Sequence, residues 1–98
     1  MPGAMSVDAY VIDTLMRDLI HHDRRPSAFV VYLYLSRRVG LSRGGRVHLS
    51  HQSIAEATGL SRSAVQRSIA LLSRRRLIRS RRATVTATPE YSLIKHWN

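Results

Sequence analysis

Between Ser61 and Arg82 the chain carries eight arginines, Arg62, Arg67, Arg74, Arg75, Arg76, Arg79, Arg81 and Arg82, and no acidic residue. A solvated helix face normally mixes charges of both signs, so a run of one sign points to a polyanionic partner. The guanidinium fork can clasp a phosphate or bond the O6 and N7 edge of guanine in two places. Gln66 can do the same for adenine, and small residues such as Ser63 and Ala70 let a helix approach a groove closely. This is chemistry of recognition. Catalysis has no visible seat, because no nucleophile elbow, phosphate loop, dinucleotide fingerprint or zinc-type His pair occurs, and the chain is expected not to be an enzyme.

The residues that must hold this face lie just before it. Ser50 is a suitable N-cap, and no Pro or Gly interrupts the chain until Gly59, where positive φ is allowed and a helix can end. Leu60 is apolar and can fold back, and Ser61 can cap a second helix at once. On that helix Val65, Ile69 and Leu72 share one stripe. At about 100° per residue, Ser63, Arg67, Ala70 and Arg74 lie opposite, with Arg62 and Gln66 on the flank.

At 98 residues and 11.1 kDa the chain has room for one small core, and 44% hydrophobic residues argue against disorder. A domain this size only marginally stabilises itself, so a partner subunit is a natural expectation. The net charge of +10 and pI near 11.6 favour polyanions, although the count alone fits a ribosomal, histone-like or membrane-surface protein equally well. There is no cysteine, hence no disulfide framework and no thiolate metal site. His21 and His22 diverge on a helix, and His48, His51 and His96 are isolated in sequence, so neither a metal nor a cofactor is expected. No secretory signal and no apolar run of membrane-spanning length occurs, so the expected location is the bacterial cytoplasm or nucleoid, without a membrane partner. All basic residues but Lys95 are arginine, which fits a GC-rich coding sequence as well as a need for the forked guanidinium.

Taken in order, residues 1–5 lack periodicity and are set aside as disordered or a cloning remnant. Residues 6–23 predict a helix capped by Ser6, with Asp8 in its first turn and His21 and His22 in its last. Val7, Tyr10, Val11, Leu15, Leu19 and His22 form one apolar stripe, and Ile12, Met16 and Ile20 form a second beside it. Either the second stripe buries itself against another subunit, as a dimerisation element, or the small domain wraps this helix deeply. Four aspartates against Arg17 give this segment a net −3, whereas residues 24–98 carry fifteen basic residues against Glu56 and Glu90, so the anion-binding surface belongs to residues 24–98. After a break at residues 24–26, a helix is expected to Val39, buried through Ala28, Val31, Tyr32, Leu35 and Val39, with Gly40 and Leu41 forming a Schellman stop. Residues 46–49, 77–82 and 91–95 predict three short strands.

The spacing of Ala55, Gly59 and Val65 resembles the helix-turn-helix. The full order helix, helix, strand, helix, helix, strand, strand resembles the winged helix-turn-helix family over residues 26–97. GLSRSAVQRSIALLSRRRLI looks like that family's second half, and YLYLSRRVG with HLSHQSIAEATGLSRSAVQRSI is similar to domains of bacterial transcription regulators and plasmid replication initiators. The resemblance implies a mainly α fold with a small antiparallel β-sheet, here with an additional N-terminal helix. It implies a recognition helix, 61–75, in the major groove of double-stranded DNA and a wing, 77–95, on the backbone or minor groove. Ser63, Gln66 and Arg67 would then read bases, and Arg62, Arg74, Arg79, Arg81 and Arg82 would contact phosphates. Ile12, Met16 and Ile20 would form a homodimer interface. The expected function is sequence-specific DNA binding in transcription regulation; the alternatives are a module of a plasmid or phage replication or partition protein, or an RNA- or protein-binding winged helix. Two positions depart from the family pattern. Ala64 replaces a Thr that often contacts phosphate, and Arg76 stands where Gly usually ends the recognition helix, so Arg76 either adopts a left-handed conformation or ends the helix differently.

Overall fold

The computed structural model describes residues 3–97, so the expectation for residues 1–5 lies partly outside the described residues. Ala4 offers its carbonyl to Arg37 Nη1 at 3.1 Å. The first helix occupies residues 9–22, later than the expected start at Ser6. The reason is tertiary. The Asp8 carboxylate accepts the Trp97 indole N–H at 3.1 Å and pairs with Lys95 Nζ at 3.2 Å, so residues just before the helix are drawn toward the C-terminus. Tyr10 stacks on Trp97 with ring centroids 4.5 Å apart, adding an aromatic clasp at the same place.

This N-terminal helix is wound in wide, π-type turns over Val11–Leu15 and Asp18–His22, joined by ordinary α geometry. Residues four apart overshoot one α-turn and fall short of one π-turn, so mixing the two keeps Val11, Leu15 and Leu19 on one line. Those three are buried in the core. Val7 and His22, expected on the same stripe, are exposed. The second stripe stays outside: Ile12 is 46% and Ile20 40% exposed, while Met16 is partly buried against the core.

Helix α1, Pro26–Leu41, starts with proline in its first turn and buries Ala28, Phe29, Val31, Tyr32 and Leu35. It passes through Gly40 and ends at a Ser42 cap, so the expected stop at Gly40 is corrected, and Leu41 is 61% exposed instead of folding back. Ser42 replaces the glycine stop. Its N–H reaches Val39 O, its Oγ donates to Arg46 O at 2.7 Å, and the positive φ falls on Gly45 instead.

Strand β1, Val47–His48, precedes α2, His51–Thr58, and α3, Arg62–Arg74; β2, Ile78–Arg81, and β3, Glu90–Leu93, close the chain. The element order is the expected one, with each strand shorter than the sequence suggested. The antiparallel sheet runs β1-β3-β2, with Val47 opposite Tyr91 and Ser80 opposite Tyr91 on the other side. Tyr32, Leu35, Ile54, Leu72, Ile78 and Tyr91 meet in the core where α1, α2 and α3 cover the sheet. Fully burying one such aliphatic side chain stabilises the fold by about 1.5–3 kcal/mol, so α3 is anchored by its apolar side and its other side is left to solvent.

Candidate nucleic-acid interface

The turn between α2 and α3 is built from local parts. Ser50 Oγ accepts the Ser53 N–H at 3.0 Å, and Gly59, at φ 82°, ends α2 with its N–H on Ala55 O at 2.9 Å. Ser61 Oγ then accepts the Ala64 N–H at 3.1 Å and opens α3. Ala55 and Val65 are buried where the helices cross, so only small or β-branched side chains fit. Leu60 packs on the core as expected.

The buried side of α3 consists of Val65, Ser68, Ile69, Leu71 and Leu72. Ser68 was not legible from the apolar pattern; its hydroxyl donates to Ser27 Oγ at 3.1 Å, which satisfies a buried polar group and joins α3 to the start of α1. Arg62, Ser63, Gln66, Arg67, Ala70 and Arg74 are exposed on the other side. Among the described residues Arg62, Gln66, Arg67 and Arg74 make no hydrogen bond or ion pair within the chain, while Ser63 Oγ lies 3.3 Å from Ser61 Oγ. Arg62 and Arg74 are about 18 Å apart along the helix axis.

The cationic run divides once it is folded. Arg75 forms a two-point ion pair with Asp23, Nε to Oδ2 at 2.9 Å and Nη2 to Oδ1 at 3.2 Å, tying the end of α3 to the end of the N-terminal helix. Arg76 adopts φ 57°, the left-handed alternative. Its N–H bonds Ser73 O and the Leu77 N–H bonds Leu72 O, the two hydrogen bonds of a Schellman motif, so Arg76 does what a glycine usually does there.

Arg79 and Arg81 are exposed on β2, opposite Ser92 and Glu90. Arg82 is structurally engaged: its Nη1 donates to Val85 O at 3.1 Å and Ala87 O at 3.4 Å, bracing the wing loop. The fold also brings Arg82 beside Arg62 in a cleft of about 270 Å³ between the wing and the start of α2 and α3. His51 lines that cleft, and burial, then Arg82 and Arg62, hold its imidazole below its ordinary pKa. In the sequence His51 stands isolated from the other histidines, and its place directly after the Ser50 cap is the only signal of this position. His48 instead lies 3.8 Å from Glu90, and His96 sits edge-on to Tyr10 and Trp97. Among the described residues no cluster of three His, Cys, Asp or Glu could hold a metal, and no helix is long and apolar enough to cross a membrane.

The profile of the Crp-like helix-turn-helix domain family matches residues 19–90, most of the chain and the whole of the two-helix turn. No curated protein matches the sequence. Among solved structures, the apo form of a double mutant of Lactococcus lactis ZitR is similar, at 22% identity and a TM-score of 0.49 over 94% of this chain. The chain spans 64% of that protein's length.

Proposed function

This chain belongs to the Crp-like helix-turn-helix domain family, and from that premise we propose that it is a sequence-specific binder of double-stranded DNA acting in transcription regulation in the bacterial cytoplasm or nucleoid. The fold is a winged helix-turn-helix with an added N-terminal helix. The observation that carries the proposal is the outer side of α3. Arg62, Ser63, Gln66, Arg67, Ala70 and Arg74 form a continuous cationic and polar surface backed by the buried stripe of Val65, Ile69 and Leu72. In this reading α3 enters the major groove, Ser63, Gln66 and Arg67 meet base edges, and Arg62, Arg74, Arg79, Arg81 and Arg82 meet phosphates from helix and wing.

The proposed functional unit is a homodimer through Ile12, Met16 and Ile20. Two exposed isoleucines on one helical line support it, and Asp13 and Arg17, both exposed on the same helix, offer opposite charges to an antiparallel copy. Selection of bound sequences from random duplex DNA tests both parts. An enriched inverted repeat with half-sites about one turn apart is the expected result. No enrichment, or preference for duplex RNA in competition, overturns the reading.

A further inference from the structure

The cleft between the wing and the start of α2 is lined by Ser50, His51, Gln52, Arg62, Arg82 and Thr88. It is open to solvent and wide enough, at about 270 Å³, for a phosphodiester group. Three separate elements line it: α2 brings His51, α3 brings Arg62 and the wing brings Arg82. Arg82 is oriented by its Nη1, which donates to two wing carbonyls. Helix α2 is anchored beneath by Ile54 and Ala55, both buried, so His51 is likewise set on a fixed support.

We propose that this cleft is a phosphate clamp for the DNA backbone in which His51 joins Arg62 and Arg82, and that His51 takes up a proton as the phosphate enters, making affinity for duplex DNA rise as pH falls. The inference rests on the DNA-binding reading and adds to it a contact and a proton that the arginine pattern does not contain.

The electrostatics follow from what faces the imidazole. Arg62 and Arg82 face it from α3 and the wing, and both disfavour its charged form in the free protein, in addition to its partial burial. On its own helix Glu56 accepts the Gln52 amide at 3.1 Å, and Glu90 on β3 lies 3.8 Å from His48, in the adjoining cleft that Arg81 and Arg82 also line. His51 is therefore neutral in the free protein at neutral pH. A phosphate between the two guanidiniums cancels their repulsion and adds an opposite charge of its own, so the imidazole pKa rises in the complex. The bound state then holds more protons than the free state. Between the free pKa, below 6.5, and the higher bound pKa, affinity rises as pH falls, at most about tenfold per pH unit for one proton.

The test measures affinity for a short duplex carrying the selected sequence between about pH 5 and 8 at constant ionic strength, for the unmodified protein, His51→Gln and His48→Gln. The expected result is an affinity that climbs several-fold per pH unit on acidification in the unmodified protein and in His48→Gln, and a much flatter profile in His51→Gln. Calorimetry in two buffers of different ionisation enthalpy should show proton uptake for the unmodified protein and not for His51→Gln. An NMR titration of the His51 ring in the unmodified protein, with and without DNA, should show the pKa rising on binding, and this measurement stands even if the Gln variant folds poorly. DNA binding with the full pH slope retained in His51→Gln, or a His51 titration unmoved by DNA, overturns the clamp and leaves DNA binding intact. Failure of the unmodified protein to bind any duplex overturns the DNA reading and the clamp together.

Discussion

Among the described residues two non-glycine residues, Arg24 and Arg76, adopt the left-handed conformation, and Arg76 is the one whose backbone cost bears on the candidate interface. It sits at φ 57° in the Schellman turn that ends α3, and both hydrogen bonds of the turn are made by main-chain atoms. A side chain in the left-handed region costs roughly 1–2 kcal/mol, because Cβ crowds the carbonyl that follows. Glycine removes that cost but loses more chain entropy on folding, roughly 0.4–1 kcal/mol. The balance favours glycine at this position by about 1 kcal/mol. Arg76 also adds to the crowd of like charges around it, so replacing it by glycine alone would mix two effects. Arg76→Ala removes the charge and keeps Cβ; Arg76→Gly removes both. The Gly variant should therefore melt above the Ala variant by about 4–8 °C, the shift that about 1 kcal/mol produces in a domain of this size. Thermal unfolding followed by circular dichroism, at moderate salt and equal protein concentration, reads the difference. If Arg76→Ala is as stable as Arg76→Gly or more so, the left-handed conformation or the cost assigned to it is wrong.

Three further outcomes are expected. If about five phosphates are neutralised, affinity for DNA should fall with a log–log salt slope of roughly −4 to −5 per protomer, and a slope near zero would remove the electrostatic basis of the interface. Arg67→Ala should cost about 1–3 kcal/mol on cognate DNA and relax preference at one base position, whereas Arg81→Ala should weaken all sequences alike and flatten the salt slope by about one; equal losses on cognate and random duplexes would refute the role given to Arg67. Because Met16 is partly buried, Ile12→Glu with Ile20→Glu is the variant that spares the core. It should give a folded monomer that binds a single half-site weakly, and light scattering that finds the unmodified protein monomeric at micromolar concentration would refute the dimer.

What could be read in the sequence was set by short-range physics. Ser50, Gly59 and Ser61 act on groups within four residues of themselves, so the two-helix turn followed from residue type and spacing alone. The stripe of Val65, Ile69 and Leu72 is equally local, since helical periodicity decides which residues share a side before any partner is known. Helix α1 runs past Gly40 because it stops where its last carbonyls find partners, and the Ser42 N–H supplies one, to Val39 O, two residues later. Other features depended on residues far away in the chain. Asp8 is pulled from the helix by Trp97, 89 residues on; Arg75 is taken out of the cationic surface by Asp23, 52 residues back; and Ser68 is buried on Ser27, 41 residues back. The meeting of His51, Arg62 and Arg82 is of the same kind. Charge and periodicity determine which residues a helix turns outward, but which outward residues converge on one cleft depends on how the wing folds back over α2, and that is decided only when the sheet closes on the core.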